Sequence, residues 1–543
     1  MRYSAYLSSP ELGEMKTTTN PAKSWRKKSI PGCLLGFTAS FLLHPSPKAA
    51  QVGKNSESHD HSSKKVQLHE DLTTTVSTRL NALRDEVDKN SIRMSLDQCL
   101  ENGIKQNMQL AAAYASIQQQ EYSLIGLKRQ YIPTLSLTSL PPFLGAVQSS
   151  SSAKQYQQVV TINPNGTTQI TTKTQSSQSS LDYNQIAPYF TLTWSFFQPT
   201  LPASIKASNA DVRRQRLAFD VTARSAVLQI QQAYYQLQTS KALIDAFERI
   251  YRINLEQVNY VKERQKVGLT NIGAVEQAKS QLYVQMNQLI SFYDNYIQAA
   301  ASLALAMNQP MGKLIIPSEN ISQSSPWQES LENTVNVALR LREEIQAYLE
   351  SEQASIWNAR ATVRQYLPTL MLQGFAYSLL NNGTADAAVT YDTSYNFKAI
   401  GLGITWNIFD GGVAAAQAQS LKAQSRNARY QAEYTKFLVQ EQVKQAFASY
   451  KTAILSLETA KLNLDAANKT IQVNRARFSV GLADITSLVQ SMQLLGQASE
   501  AYSNSLLQYN NAIAELYRYS AQWPTGMRQV INNRKESLKK ATD

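Results

Sequence analysis

The sequence predicts a two-repeat α+β membrane protein in which each chain supplies four membrane strands and long coiled-coil helices. Three observations predict this fold class: short motifs that recur in the same order, a two-residue alternation of apolar side chains ahead of each long helix, and a heptad spacing of apolar side chains within those helices. Of 543 residues, 43% are hydrophobic and 17% are charged, and the mean hydropathy is −0.33, so much of the chain is expected to be exposed to water.

The chain contains two copies of one module. RQYIPTLSL at 129–137 matches RQYLPTLML at 364–372, and KVGLTNI at 266–272 matches SVGLADI at 479–485. Copy one is longer than copy two between these motifs, and the difference falls before the tryptophan of the second strand. This part of copy one includes a stretch rich in Ser, Thr and Gln, residues 148–180, which we expect to be a polar loop.

Each copy is predicted to run helix, strand, loop, strand, long helix and returning helix. We expect copy one at residues 92–310 and copy two at 330–523, joined by a linker at 311–329. The long helices are expected near 204–267 and 413–480, roughly 100 Å each at ~1.5 Å per residue. Their apolar residues recur at alternating spacings of four and three, the pattern of a coiled-coil seam.

The second strand of each copy ends in a tryptophan motif, TLTWSFF at 191–197 and GITWNIF at 403–409. Large apolar residues alternate there with small or polar ones, which gives each strand one apolar face. We expect about 9–11 residues per strand, the length of a tilted membrane strand. Because lipid does not tolerate the two open edges of a four-stranded sheet, three chains are expected to close a 12-stranded β-barrel on a 12-helix α-barrel.

The repeated tryptophans, Trp194 and Trp406, lie at the strand end that leads into each long helix. Tryptophan favours the membrane–water boundary, so these residues, with Phe197 and Phe409, are predicted to form an aromatic girdle on the cell-interior side of the barrel. The alternative is a pair of ordinary tryptophans buried in a sheet.

The composition argues against several classes of function. The four histidines all lie at or before residue 69, so the main body offers no histidine base and no histidine metal site. We therefore expect no enzyme activity, no cofactor and no metal. The formal net charge of +13 is concentrated at the chain ends and not in a basic patch among aromatics, which argues against nucleic-acid binding.

The two ends of the chain differ from its body. Residues 1–50 have the layout of a secretory signal peptide with an extended lead, because a basic head precedes an apolar run at 30–43 that is too short to span a membrane. A short buried helix is the alternative for this run. Residues 51–91 are expected to form a flexible periplasmic segment. The basic C-terminal tail, 524–543, is expected to be a flexible end.

Taken in order, these motifs resemble the TolC-type outer-membrane efflux protein family over about residues 92–523. The resemblance rests on the two-copy plan, the Y-[IL]-P-T-L strand entries, TWSFF and TWNIF, FDGG after the last strand, and VGL at both helix turns. It implies a passive homotrimeric duct in outer-membrane lipid with its helical part in the periplasm. It also implies docking on a periplasmic adaptor protein and an inner-membrane pump of the ABC or RND type, for efflux or type I secretion.

The resemblance places a closing aperture just past the VGL turn of copy two. Two positions that often carry acidic rings in the family are Ser487 and Gln490 here, and the nearby acids are Asp484 and Glu276. Three copies of Asp484 would form a cation-attracting ring, although the same residue fits a helix N-cap equally well. Glu276 also fits a solvated helix face. Phe478 occupies the place of the aromatic residue that packs at the gate in this family.

The two turns themselves are the expected adaptor contact. Glycine supplies the turn and leucine supplies an exposed apolar knob, although a plain helical hairpin turn would look the same. The residues of the two turns are Gly268, Leu269 and Thr270 in copy one, and Gly481, Leu482 and Ala483 in copy two.

Two other classes of protein also carry long coiled-coil helices. A secreted or periplasmic coiled-coil structural protein without a pore would account for the heptads, but not for a two-faced strand with an aromatic end in both copies. A periplasmic adaptor would carry one helical hairpin, whereas this chain has two.

Overall fold

The computed structural model describes the two repeats and the end of the chain. The predicted signal peptide and most of the segment 51–91 lie outside the described residues. The residues of that segment described before Ser91 are helical, and Arg84 among them forms an ion pair with Glu248 at 3.3 Å. The described residues are 78–79, 81–82, 84–85, 89, 91–309, 313–385 and 389–541.

Copy one follows the predicted order of elements, with short additions at its start. Its elements are β1 (Ser91–Met94), α1 (Leu96–Gln106), α2 (Met108–Arg129), β2 (Thr134–Ile162), β3 (Thr168–Phe197), α3 (Leu201–Lys266) and α4 (Ile272–Ala306).

Copy two repeats this order and ends in an additional helix. Its elements are β4 (Leu314–Pro317), α5 (Leu331–Leu341), α6 (Glu343–Val363), β5 (Thr369–Ala385), β6 (Val389–Thr405), α7 (Val413–Ser479), α8 (Ile485–Tyr519) and α9 (Met527–Lys540).

The first helical run of each copy is broken at one residue. Asn107 and Arg342, which occupy equivalent positions of the two copies, have extended backbone with ψ of 116° and 119°. The Asn107 side chain then caps α2 by accepting a hydrogen bond from the Leu110 N–H at 2.9 Å. The break is therefore a feature of the repeat that the sequence, interpreted as one continuous helix, did not predict.

The four long strands form one antiparallel sheet in the order β2-β3-β5-β6, so β2 and β6 are its edges. The predicted strand length is wrong, because β2 and β3 have 29 and 30 residues and β5 and β6 have 17 each. β6 also ends at Thr405, so Trp406 and Ile408, which were expected to continue its alternation, lie beyond the strand.

The predicted polar loop, residues 148–180, is also wrong, because it is the paired distal part of the β2–β3 hairpin. The hairpin closes at a turn in which the Gly166 N–H donates to the Asn163 carbonyl at 3.0 Å, with Gly166 at φ 74°. Threonine favours strands, but the few apolar residues of this stretch are outnumbered by Ser, Thr and Gln, so no sustained hydrophobic alternation marks the strands. β1 and β4 form a separate parallel pair, so the predicted linker 311–329 contains a strand.

The long helices begin and end within three residues of the prediction. Most of the residues predicted for the heptad seam are buried, whereas Leu255 is exposed. α3 packs against α2, α4, α6 and α8, whereas α7 packs mainly against α5, α6 and α8. The predicted seam residues that are buried are Ile230, Tyr234, Leu237, Ile244 and Val258 in α3, and Val443, Tyr450, Leu457 and Ile471 in α7.

The C-terminal tail folds back as α9, so the expectation of a flexible end is wrong for these residues. Met527 and Ile531 are buried in the core that α1, α2 and α3 share. Lys535 lies over the ring of Phe219 in α3, with its Nζ 4.8 Å from the ring centroid. Because the apolar residues of α9 are spaced along one helical face, the helix packs although its charge is basic.

Candidate functional site at the helix turns and strand ends

The two helix turns have the same geometry in both copies. Gly268 and Gly481 have φ of 77° and 79°, the left-handed conformation that glycine adopts without strain. The Leu269 N–H donates to the Arg264 carbonyl at 2.9 Å, and the Leu482 N–H donates to the Arg477 carbonyl at 2.8 Å. These bonds define a Schellman motif that leaves each leucine exposed beside the turn.

Asp484 is the N-cap of α8. One of its carboxylate oxygens accepts hydrogen bonds from the Ser487 N–H at 2.9 Å and the Ser487 hydroxyl at 2.6 Å. These bonds lower the pKa of the Asp484 carboxyl, so it stays ionised beside the positive end of the helix. The equivalent residue of copy one is neutral: Asn271 caps α4 by accepting from the Ala274 N–H at 2.9 Å.

The other residues predicted at the aperture differ in what they contact. Ser487 is engaged in the Asp484 cap, and Gln490 is exposed. Glu276 pairs with Lys279 at 2.8 Å on the same helix, as expected of a solvated helix face. The negative charge of Asp484 therefore lies close to the turn of copy two. In copy one, the nearby acid Glu276 is neutralised by its ion pair with Lys279.

Phe478 is buried at the junction between the two long helices. Its ring meets that of Tyr260 edge-on at 5.7 Å, and the Tyr260 hydroxyl donates to the Ser479 carbonyl at 3.1 Å. The Arg264 guanidinium lies 5.8 Å from both rings. We call Tyr260, Arg264 and Phe478 the latch, because they join α3 to α7 next to the turns.

An ion pair strengthens this junction, with Arg475 of α7 bound to Glu256 of α3. Sequence analysis missed Tyr260, Arg264, Glu256 and Arg475 because the latch and its ion pair recur only partly in the repeat. A cavity of about 520 Å³ opens between the two turns, beside the latch. It is lined by Arg264, Thr270, Asn271, Phe478, Ala483 and Asp484, among others.

The two tryptophans at the strand ends make equivalent hydrogen bonds. The Trp194 indole N–H donates to the Tyr131 carbonyl at 2.8 Å, and the Trp406 indole N–H donates to the Tyr366 carbonyl at 2.9 Å. Their exposed fractions are 37% and 55%, so they lie on the surface of the chain and are not buried in the sheet. Phe197 and Phe409, the other two predicted girdle residues, are exposed as well.

Asp410, in the FDGG motif, fixes the start of α7. Its carboxylate accepts from the Gly412 N–H at 2.9 Å, the Ala414 N–H at 2.7 Å and the Tyr366 hydroxyl at 2.7 Å. The same Tyr366 supplies the carbonyl that binds Trp406. The motif therefore ties the end of β6, the start of α7 and the entry to β5 together.

Neither a metal site nor a membrane helix is found in the part of the chain that the structure describes. Among these residues, no group of three or more His, Cys, Asp or Glu side chains is placed to hold a metal ion. No described helix combines the length and the apolar character needed to cross a membrane.

The fold is that of a two-repeat protein with one long helical hairpin in each copy and a four-stranded sheet shared by both copies. Residues 144–309 and 334–522, more than half of the chain, match the model of the outer membrane efflux protein family. The chain belongs to this family of outer-membrane efflux channels, which confirms the resemblance drawn from its motifs. The comparison with curated proteins gives no match.

Solved structures with the same fold come from several bacteria. The Campylobacter jejuni CmeC outer membrane channel is 16% identical, with a TM-score of 0.61 over 82% of this chain and 90% of that chain. The Vibrio cholerae outer membrane protein VceC is 16% identical, with a TM-score of 0.58 over 79% and 96%. The open state of the Neisseria gonorrhoeae MtrE outer membrane channel is 15% identical, with a TM-score of 0.57 over 79% and 89%.

Proposed function

We propose that the protein is the outer-membrane duct of a tripartite efflux or type I secretion system. In this role it is a passive trimeric channel that docks on a periplasmic adaptor and takes its energy from an inner-membrane pump of the ABC or RND type. Family membership supports export across the outer membrane. The single observation that supports the trimer concerns the open edges of the sheet and of the helix layer. In each layer, the repeat relates the two open edges to a junction already formed within the chain, so one edge fits the opposite edge of a neighbouring chain.

The sheet edges match in register. Within the chain, Thr193 of β3 pairs with Gln373 of β5. The repeat aligns β3 with β6 through the tryptophan motifs, so Thr193 corresponds to Thr405. It aligns β5 with β2 through the Y-[IL]-P-T-L motifs, so Gln373 corresponds to Thr138. We therefore place Thr405 of one chain opposite Thr138 of the next, which pairs the two open edges, β6 and β2.

The helix edges match in the same way. Within the chain, Arg224 of α3 binds Glu343 of α6, with the Arg224 Nε 2.9 Å from a carboxylate oxygen. The equivalent positions are Phe437 of α7 and Met108 of α2. Their side chains are 69% and 66% exposed. A polar pair inside the chain thus corresponds to an apolar pair that a neighbouring chain would bury.

The number of chains follows from the number of strands. One chain supplies four strands, and two chains would supply eight, a barrel whose interior is filled by its own side chains. Three chains are the smallest number that leaves an open lumen. The exposed polar residues of the strands then face water, while the girdle residues Trp194 and Trp406 meet the membrane boundary.

The turns at the far end of the long helices supply the contacts with the rest of the system. Leu269 and Leu482 are exposed apolar side chains held on rigid turns, which suits docking of an adaptor. Asp484 recurs three times in the trimer and would attract cations at the aperture. The latch beside the turns is placed to hold the aperture narrow until the adaptor engages.

The strand register supplies the test of the trimer. A Thr138→Cys/Thr405→Cys variant should form disulfides around the ring and run as a covalent trimer on a non-reducing gel, because directly opposed strand residues have Cβ atoms about 5 Å apart. The control, Ser136→Cys/Thr405→Cys, is displaced along β2 to the next position on the same face and should remain monomeric on the same gel.

Channel activity is tested separately in a planar bilayer with the purified protein. Small, stable, cation-favouring conductance steps are expected. Absence of steps after confirmed insertion, together with no covalent trimer, would contradict the duct and favour a coiled-coil protein without a pore.

A further inference from the structure

The β2–β3 hairpin extends well beyond the rest of the sheet. Among the described residues, β3 is paired with β5 from Leu181, opposite Ala385, toward the helices. Beyond that row, residues 150–162 and 168–180 pair with each other and with no other described strand. We call residues 150–180 the distal ribbon. Its thirteen residues per strand correspond to about 43 Å at ~3.3 Å per residue.

The distal ribbon has one apolar face at its outer end. Val160 lies directly opposite Ile170, and Ile162 and Tyr156 lie on the same face because strand side chains alternate. The exposed fractions of these four side chains range from 56% to 74%. The opposite face carries mainly Gln, Ser and Thr, for example Gln169 opposite Thr161.

A ribbon of this kind is not expected to stand alone. An isolated two-stranded hairpin is marginally stable in water, and both edges of the distal ribbon lack a strand neighbour among the described residues of the chain. Its charged residues are Lys154 and Lys173, and the outer end between them and the turn, residues 158–172, carries no charge, so the lysines that oppose strand association are absent from that end. The apolar end and the low charge together favour association with identical ribbons.

The geometry of the proposed trimer brings three such ribbons within reach. Twelve strands spaced ~4.8 Å apart and tilted by ~40° enclose a barrel of roughly 12 Å radius. β6 begins at Val389, so in the register given above a neighbouring β6 reaches only the first part of the distal ribbon, near Lys154, and leaves the outer apolar end with Val160 and Ile162 uncovered. Each ribbon is several times longer than the radius, so three can meet over the axis.

We propose that the distal ribbon is a self-association surface, whose apolar face packs against the same face of the other two chains and caps the cell-exterior mouth of the duct. This inference rests on the proposed trimer. The occupant of the apolar face is a second and third copy of the same segment. The cap adds a second constriction at the end of the duct opposite the helical aperture.

The test compares cysteines placed one at a time on the two faces of the distal ribbon, in the full-length protein carrying Cys33→Ser. Cys99 is buried, and burial raises the pKa of its thiol to about 12, so it stays protonated and gives little background. Ile170→Cys on the apolar face should form covalent dimers under mild oxidation, whereas Gln169→Cys on the opposite face should not. Ile170→Cys should also react about ten-fold more slowly with a polyethylene-glycol maleimide, because packed residues exclude the reagent except during opening.

The size of the particle, measured on the same samples, separates the two proposals. If the particle is a trimer but neither cysteine forms a disulfide, or both react with the maleimide equally fast, the proposed cap is wrong and the proposed duct is unaffected. Slow modification of Ile170→Cys only after addition of lipopolysaccharide assigns the apolar face to glycolipid and also overturns the cap. A particle that is not a trimer removes the proposed function, and the cap with it.

Discussion

Helices α3 and α7 are the same element of the repeat and have nearly the same length, yet they differ in how much of their surface the chain covers. α3 buries 27 of 66 residues, and α7 buries 16 of 67. α3 has helices of both copies around it, whereas α7, apart from the latch, packs against copy two. Five of the exposed apolar residues of α7 follow a heptad pattern on one face: Tyr430, Tyr434, Phe437, Leu455 and Leu462.

This difference shows that the two copies share one backbone fold but differ in the side chains that join their long helices to neighbouring helices. The α3–α6 junction lies within the chain and contains the buried Arg224–Glu343 pair, with the guanidinium also 3.9 Å from the ring of Trp523. In the proposed trimer, the equivalent junction of α7 is made with the α2 of another chain, and its residues Phe437 and Met108 are apolar. The polar pair that forms during folding of one chain would thus correspond to an apolar contact that forms on assembly.

The largest expected effect concerns the junction within the chain. Replacing Glu343 by Met, the residue at the equivalent position 108, leaves the buried Arg224 without its carboxylate. We expect the free energy of unfolding to fall by about 3 kcal/mol, near the low end for a broken buried ion pair, because the Gln522 carbonyl still accepts from Arg224 at 2.9 Å.

Chemical denaturation followed by circular dichroism measures this change. Met108→Leu is the matched control at the exposed position and should change the free energy of unfolding by only about 0.5 kcal/mol or less. A loss below about 1 kcal/mol for Glu343→Met would show that the pair adds little to the junction.

The next effect concerns the junction between chains. Phe437→Asp should leave the folded chain intact, because the side chain is exposed there, but should weaken each interface by about 2 kcal/mol or more, roughly 30-fold, since a phenylalanine is no longer buried on assembly. Analytical ultracentrifugation in detergent measures the loss of trimer.

Gln424→Glu is the control for this charge. Gln424 is exposed on the same helix and lies about 140° around it from Phe437, at ~100° per residue. It should leave the trimer unchanged. Equal dissociation of both variants would point to a general effect of charge on α7 instead of a buried face.

A smaller effect concerns the latch, which joins α3 to α7 within one chain. The equivalent residues that would meet between chains in the proposed trimer are different. The positions equivalent to Tyr260 and Phe478 are Val473 and Gln265. Those equivalent to Glu256 and Arg475 are both lysine, Lys469 and Lys262. The junction within the chain is therefore the stronger one at the turns, and we expect the aperture to widen along the seams between chains.

Tyr260→Phe tests the latch by removing one hydrogen bond to the Ser479 carbonyl. The loss should be about 1 kcal/mol and should raise the equilibrium ratio of open to closed channels roughly five-fold in single-channel recordings. Tyr348→Phe, an exposed tyrosine on α6, should leave this ratio unchanged. An unchanged ratio for both variants would exclude Tyr260 from the closed state.

The sequence predicted the long helices and their turns because periodic apolar residues and repeated motifs extend over many positions. Ser204 was expected to open α3, and the helix begins at Leu201. The distal ribbon escaped detection because its few apolar residues are confined to its outer end and the rest of its length is Ser, Thr and Gln, which resembles a loop. The latch escaped because its partners lie in different copies and recur only partly in the repeat. The break at Arg342 depends on one residue and its tertiary contacts.

The smallest structural change is Asp484→Asn, which separates the charge of Asp484 from its role as the N-cap of α8. Asp484→Asn should keep the α8 cap, as Asn271 does for α4, while removing three charges from the trimer. We expect the cation preference of the channel to fall with little change in the free energy of unfolding. Asp484→Ala should lose the cap as well and lower the free energy of unfolding. Reversal potentials in a salt gradient measure the preference, and an unchanged preference in Asp484→Asn would place the selective charge elsewhere.

The pH dependence follows from the lowered pKa of Asp484. Its hydrogen bonds to Ser487 favour the ionised form, so the charge present at neutral pH persists below the usual pKa of an aspartate, about 3.9. Since the pKa in the folded state is lowered, the carboxylate's contribution to the α8 cap is present above the unfolded pKa and is lost as pH falls through the folded pKa. The cation preference should disappear over that same acidic range. A preference lost already near pH 5 would assign it to a carboxyl other than Asp484.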